Sequence, residues 1–161
     1  MDKSYIINPL TEKDKPWAAQ ILTKRWGSPT IVSRGKLHRL EDLNGFISKK
    51  GQAPVGLVTY VINGNTCEIV SLDSLVKKQG IGIALVEEVK RAAKSQGCSR
   101  VWVITINDNL DALRFYQKRG FSLVAVYRNA LDLSRKLKPE IPFVGNHDIP
   151  LRDEIELEIL L

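Results

Sequence analysis

The sequence predicts an α/β fold, a mixed and mostly antiparallel sheet flanked by helices. Three observations predict it. "NGN" at 63–65 separates two strand-like runs, Val55–Ile62 and Thr66–Asp73, and is a hairpin signal that makes them antiparallel. Through 82–95 the apolar residues Ile81, Leu85, Val89 and Ala92 recur at helical spacing, with Glu87 four residues before Arg91 on an outer face. "RVWVITI", residues 100–106, is nearly unbroken apolar sequence, as expected of a central strand with both faces covered.

The remaining elements follow in chain order. Residues 5–8, Tyr-Ile-Ile-Asn, read as a short strand ended by Pro9. Thr11 and Asp14 open a helix through Trp17, Ile21 and Leu22 that closes near Gly27. "RWGSPTIVSRGKLHRLEDL", residues 25–43, is rich in Gly, Pro and Arg and is expected to be a loop or short helix over the surface. Two strands come next, near Gly45–Ser48 and Val55–Ile62, the first followed by the turn Lys49-Lys50-Gly51-Gln52. Gly97 stops the helix of 82–95. Beyond the central strand, Asn109–Arg119 is a second helix ended by Gly120, and Phe121–Tyr127 is another strand. Residues 137–150, with three prolines, form a long ordered loop or arm. Ile155–Leu161 alternates apolar residues with Glu156 and Glu158, a half-buried strand that completes this chain's own sheet or that of a neighbour in a homodimer.

With 161 residues, 43% apolar and 26% charged, the chain is expected to be one globular domain spanning 1–161. Its start lacks a basic, apolar and cleavable leader, and no apolar run reaches membrane-span length, so a cytoplasmic protein is expected. Cys67 and Cys98 have neither metal-ligand nor disulfide-framework spacing and read as reduced core residues. His38 and His147 lack carboxylate or cysteine partners at ligand spacing, so they are assigned no role and no metal is expected. The formal charge of +6 favours polyanions but does not choose between nucleic acid and a phosphorylated cofactor. Nucleic acid is not expected, because aromatic and basic residues are not interleaved as single-strand binders require.

"SLDSLVKKQGIGIALVEEVKRAAK", residues 71–94, runs from a strand through a basic, glycine-bearing loop into a helix. Such a junction offers unpaired N–H groups and the positive end of a helix dipole, which suits phosphate. Gly80 and Gly82 allow close approach, and Lys77 and Lys78 add charge. A nucleoside-triphosphatase loop is excluded because G-x-x-x-x-G-K-[ST] is absent, and "GIGIAL" has two of the three glycines of a dinucleotide fingerprint. Alone, K-x-x-G-x-G reads equally as a structural turn.

A second stretch, "NDNLDALRFYQKRGF" at 107–121, places Asn109, Ala112, Tyr116, Gly120 and Phe121 in the pattern N-x-x-A-x-x-x-Y-x-x-x-G-F. At this point the chain resembles the GNAT superfamily of acetyl-CoA-dependent N-acetyltransferases, whose loop motif [RQ]-x-x-G-x-[GA] corresponds to Lys77 through Gly82. The resemblance covers residues 55–127 by motif and the rest by strand order. The whole chain is also similar to a branch of uncharacterised bacterial members with "WGS", "SRG" and "CEIVSLDS". Lys77 departs from the family's Arg or Gln, keeping charge but losing the planar fork.

The resemblance implies a splayed central pair of parallel strands holding the donor. Acetyl-CoA would place its pyrophosphate on Lys77, Lys78, Gln79, Gly80, Ile81, Gly82 and Ile83. Its pantetheine arm would pair with Val70, Ser71 and Leu72, where a backbone N–H polarises the thioester carbonyl, and Asn109 would touch the cofactor. Tyr116 would be the acid that protonates the leaving thiolate, although the same residue also reads as a core aromatic beside Phe115. A base is needed because an alkyl amine is mostly ammonium at neutral pH. Glu68, acting directly or through water, is the candidate, against a carboxylate paired with a surface lysine. Thr66 lies on the same face by strand alternation, and Asp73 at the strand's end is a further candidate. Trp26 and Arg34 fall where the family places acceptor-facing loops, and Trp26 reads equally as packing for the first helix. The function implied is direct N-acetyl transfer in a ternary complex to a small-molecule, peptide or protein amine. The competing function is a non-catalytic acyl-CoA sensor or partner-binding module on the same fold.

Overall fold

The computed structural model describes residues 4–161, so Met1–Lys3, on which part of the expectation about the chain's start rests, lie outside the described residues. The chain runs β1 (Ile6–Pro9), α1 (Lys15–Trp26), β2 (Thr30–Ser33), β3 (Lys36–Arg39), β4 (Asn44–Lys50), β5 (Ala53–Asn63), β6 (Thr66–Ser74), α2 (Ile81–Ser95), β7 (Arg100–Ile106), α3 (Leu110–Lys118), β8 (Ser122–Tyr127), α4 (Ala130–Leu137) and β9 (Glu154–Leu160). Seven strands form one sheet in the order β1-β4-β5-β6-β7-β9-β8, while β2 and β3 pair separately. Every neighbouring pair in the large sheet is antiparallel except β6 and β7. The α/β expectation of a mixed, mostly antiparallel sheet with helices therefore matches the fold.

The helices cover both faces of this sheet. On one face Ile81, Leu85 and Val89 of α2 and Tyr116 of α3 pack with Val58, Cys67, Ile69 and Val101. On the other, Ala18 and Leu22 of α1 join Ile31, Leu40 and Leu57, with Val70 against them. Gly56 on β5 lets α2 sit close, since a Cβ there would lie 2.7 Å from Ile81 Cγ2. Cys67 and Cys98 are free and buried, as read from their spacing, and burial pushes the Cys67 thiol up to about 12. No described helix is long and apolar enough to cross a membrane.

Residues 25–43 depart from the expected irregular loop, because β2 and β3 form a hairpin there. Arg34 and Gly35 turn it with positive φ at both positions, 47° and 73°, the geometry a two-residue hairpin requires. The alternation of buried Ile31 and Ser33 with half-buried Thr30 and Val32 was hidden by the flanking Gly, Pro and Arg residues. Helix α4 was also missed: it spans only eight residues, too few for its apolar spacing to stand out, and of its three leucines only Leu131 is buried. The closing strand completes this chain's own sheet, with β9 lying between β7 and β8. Arg135 secures the arm that follows α4 by donating to the carbonyls of Ile141, Pro142 and Leu151.

Candidate functional site

The site begins where β6 and β7 part. Their parallel register runs from Thr66↔Arg100 to Ile69↔Val103 and ends there. Strand β6 nevertheless continues on β5 to Ser74, and β7 continues on β9 to Ile106. The facing backbone beyond Ile69 and Val103 is thus free of ladder bonds, and a cavity of about 830 Å³ opens between the strands. Val70, Ser71 and Leu72 line one side of it, and Ile104, Thr105 and Ile106 the other.

A bulge sorts the side chains of β6. Tyr60 pairs with Ile69 and Thr59 with Ser71, so Val70 is an extra residue. Before it, even-numbered residues face α1, and after it odd-numbered ones do. Glu68, Val70 and Asp73 consequently share the α1 side, while Leu72 returns to the core under α2. Simple alternation would have put Glu68 and Asp73 on opposite faces.

The loop into α2 has the left-handed residues Lys78 and Gly80 at φ 62° and 73°, and the Gly80 carbonyl accepts the Ala84 N–H. The earlier N–H groups of this first turn, from Ile81 to Ile83, lack intrahelical acceptors, and no acidic residue occupies the turn. Lys77, Lys78, Gln79 and Gly80 are exposed, whereas the Ile81 side chain is buried in the core and contributes only backbone. Gly82 lines the cavity. A Cβ there would meet the Phe115 ring at 3.5 Å, an ordinary contact, so the fold itself does not demand glycine.

Tyr116 is both things the sequence allowed. Its ring stacks edge-on with Phe115 and Phe121 at 5.2 and 5.1 Å, and it also lines the cavity. Burial holds its phenol well above the ordinary tyrosine range, so the hydroxyl keeps its proton. Asn109 lines the same cavity and caps α3, its Oδ1 accepting the Ala112 N–H at 3.1 Å.

Glu68 is 5% exposed, lines the cavity and pairs with no lysine among the described residues. Burial raises its carboxyl to about 7, against a weaker opposing pull from the Ser33 hydroxyl. Ser33 Oγ donates to Glu68 Oε2 at 2.5 Å and lies 3.0 Å from His38 Nε2. The β2–β3 hairpin thus closes over this carboxylate. Asp73 is committed elsewhere: Arg25 Nη1 donates to it at 2.7 Å, although burial still raises its pKa. Thr66, at the far end of β6, is absent from the cavity wall.

Trp26 lines the cavity, with its Nε1 buried and without a hydrogen-bond partner among the described residues. Arg34 is not brought to it. Its guanidinium lies 3.3 Å from Glu154, which lines the cavity, and 3.4 Å over the Tyr127 ring, so Arg34 ties the hairpin to the β8–β9 edge. Ser33 and His38 are the site residues that sequence reasoning missed. The signal was present in "TIVSRGKLHR", where Arg-Gly between alternating runs marks a hairpin whose inward positions include both. The arm also closes one end of the cavity through Ile141, Pro142 and Gly145.

A model described as the Acetyltransferase (GNAT) family matches residues 11–121. The chain belongs to the GNAT family. It is 43% identical over 152 residues to the uncharacterized protein YdhI of Bacillus subtilis (strain 168), covering 93% of this chain and 94% of that one. Its fold is similar to those of solved acetyltransferases. An IAA acetyltransferase from Bacillus cereus ATCC 14579 superimposes with TM-score 0.75 at 20% identity, covering 98% and 99% of the chains. A GNAT family acetyltransferase from Elizabethkingia anophelis, with acetyl-CoA bound, superimposes with TM-score 0.73 at 21% identity, covering 99% and 100%. In this GNAT chain the family match takes in the parting strands, the loop into α2 and all of α3, and stops before β8. Both motifs named from the sequence lie within it.

Proposed function

We propose that the protein is an acetyl-CoA-dependent N-acetyltransferase, a single domain over 1–161 that acetylates a primary amine directly in a ternary complex. One observation carries this reading: the gap between β6 and β7 opens a single cavity reached by the N-terminus of α2, by Tyr116 and by Glu68. The donor fits the residues present, since Gly82 withholds a side chain at a helix N-terminus where the fold would accept one. The acetyl-CoA bound to the Elizabethkingia protein supports the same donor here.

Each residue then has a task. The first-turn N–H groups of α2, with Lys77 and Lys78, hold the pyrophosphate. The freed backbone of Val70, Ser71 and Leu72 holds the pantetheine arm, and an N–H near Leu72 receives the charge that develops on the thioester oxygen. Glu68 takes one proton from the acceptor ammonium, directly or through water, so that the nitrogen lone pair attacks the carbonyl carbon. As the C–N bond forms and the C–S bond breaks, Tyr116 gives its phenolic proton to the thiolate. The second ammonium proton, shed as the amide forms, restores Tyr116 through solvent.

Calorimetric titration with acetyl-CoA and coenzyme A, then thiol release against a panel of alkylamines, amino-acid amides and peptides, tests this. Binding with turnover on any amine supports the enzyme. Binding without turnover across the panel favours the acyl-CoA sensor, and no binding removes both.

A further inference from the structure

We propose that Ser33 and His38 are positioning residues for acetyl transfer, holding the Glu68 carboxylate by one oxygen and leaving the other for the acceptor amine. The inference rests on the reading of Glu68 as the base and adds two residues from a hairpin to which that reading gives no part.

The number of protons on these groups sets the direction of their hydrogen bonds. A serine hydroxyl has one, and Ser33 Oγ spends it on Glu68 Oε2 at 2.5 Å. His38 Nε2 lies 3.0 Å from the same Oγ, so the remaining favourable arrangement has Nε2–H donating to it. This selects one neutral tautomer of His38 and fixes the direction of the whole chain, from imidazole to hydroxyl to carboxylate. His38 Nε2 is 3.6 Å from Oε1, too far for a hydrogen bond, and Oε1 accepts none among the described residues. The free oxygen therefore belongs to a side chain that lines the cavity.

Three groups make the chain, and all are buried: Ser33 is 6% exposed, His38 4% and Glu68 5%. Burial keeps the imidazole neutral, its pKa lowered to about 4, with Lys36 on β3 acting in the same direction. Lys36 also favours the charged form of Glu68, while Glu154 and Glu156 on β9 oppose it. A buried polar chain of this kind adds little to stability over apolar packing, so its presence calls for another reason. Preorganisation supplies one. When Oε1 takes a proton, Oε2 becomes the carbonyl oxygen of the acid and still accepts from Ser33, so the base needs no rearrangement as it works.

The test follows the Glu68 carboxyl by ¹³C NMR across about pH 5 to 9, in protein labelled at glutamate and assigned with Glu68→Gln. Ser33→Ala removes a donor that stabilises the carboxylate, so the midpoint is expected to rise by about half a unit or more. His38→Leu frees the hydroxyl to rotate and is expected to raise it also. His38→Gln, which returns an N–H near the position of Nε2, should bring the midpoint back toward wild type. Unmoved midpoints in folded Ser33→Ala and His38→Leu proteins overturn the proposal, because a merely structural role shifts stability and not this titration. The underlying reading fails separately: full thiol release from acetyl-CoA by Glu68→Gln, on an amine the wild type accepts, removes Glu68 as base whatever the midpoints do.

Discussion

At the scale of single residues, burial suits Glu68 and Tyr116 to the opposite roles proposed for them. Burial raises the pKa of both, which leaves a carboxylate that titrates near neutrality and a phenol that holds its proton. Glu68→Gln is expected to lower kcat about 100-fold or more while acetyl-CoA affinity, measured calorimetrically, stays within about twofold. Tyr116→Phe keeps the ring contacts with Phe115 and Phe121 and removes only the hydroxyl. Its kcat should fall about tenfold or more with little change in acetyl-CoA affinity, and unchanged turnover would remove the acid role. The kcat/KM profile should lose activity toward acid with a midpoint near 7, where Glu68 becomes protonated.

The elements show why these residues meet. Helix α2 brings its N-terminus to the cavity because Gly56 lets Ile81 approach β5. Within that helix Gly82 is the informative position. Alanine is a better helix former by about 1 kcal/mol, and the Cβ would make only ordinary contacts. Gly82→Ala should therefore leave the melting temperature unchanged or raise it, while weakening acetyl-CoA binding about tenfold or more. A stability loss with binding intact would reverse the assignment.

For the whole molecule, two buried groups in contact give opposing pH dependences. Glu68 has a folded pKa raised from 4.5 to about 7, so the folded state binds the extra proton and stability falls as pH rises through that window. His38 has its pKa lowered from 6.5 to about 4, so the unfolded state binds the extra proton and stability rises with pH between those values. In wild type the slopes offset. Thermal melts of Glu68→Gln should gain stability as pH rises from about 4 to 6.5, and those of His38→Gln should lose it from about 4.5 to 7.

Much of this architecture was legible in the chain, and the exceptions share a cause. The hairpin at Asn63-Gly64, the stripe of Ile81, Leu85 and Val89, and the apolar run 100–106 carry periodicity over many residues. Both GNAT motifs are contiguous and were read in place. The β2–β3 strands span four residues each, too short for period to outweigh a Gly- and Pro-rich setting, so His38 looked solitary. Glu68, which it meets through Ser33, lies 30 positions away in sequence and in a different sheet, so the contact arises only from the packing of the hairpin over β6.

The extra residue at Val70 gives β6 something like a reading frame. Were β6 to alternate without a break through Val70, its two halves would run out of phase, and either Glu68 or Asp73 would turn under α2, into the apolar cluster of Ile81, Leu85 and Val89. Removing Val70 altogether would instead close the register, with Ile69 and Ser71 on the adjacent Tyr60 and Thr59 and both carboxylates still on the α1 side. In this strand a single inserted position does what many substitutions could not: it gathers one face's worth of chemistry from both parities of the chain.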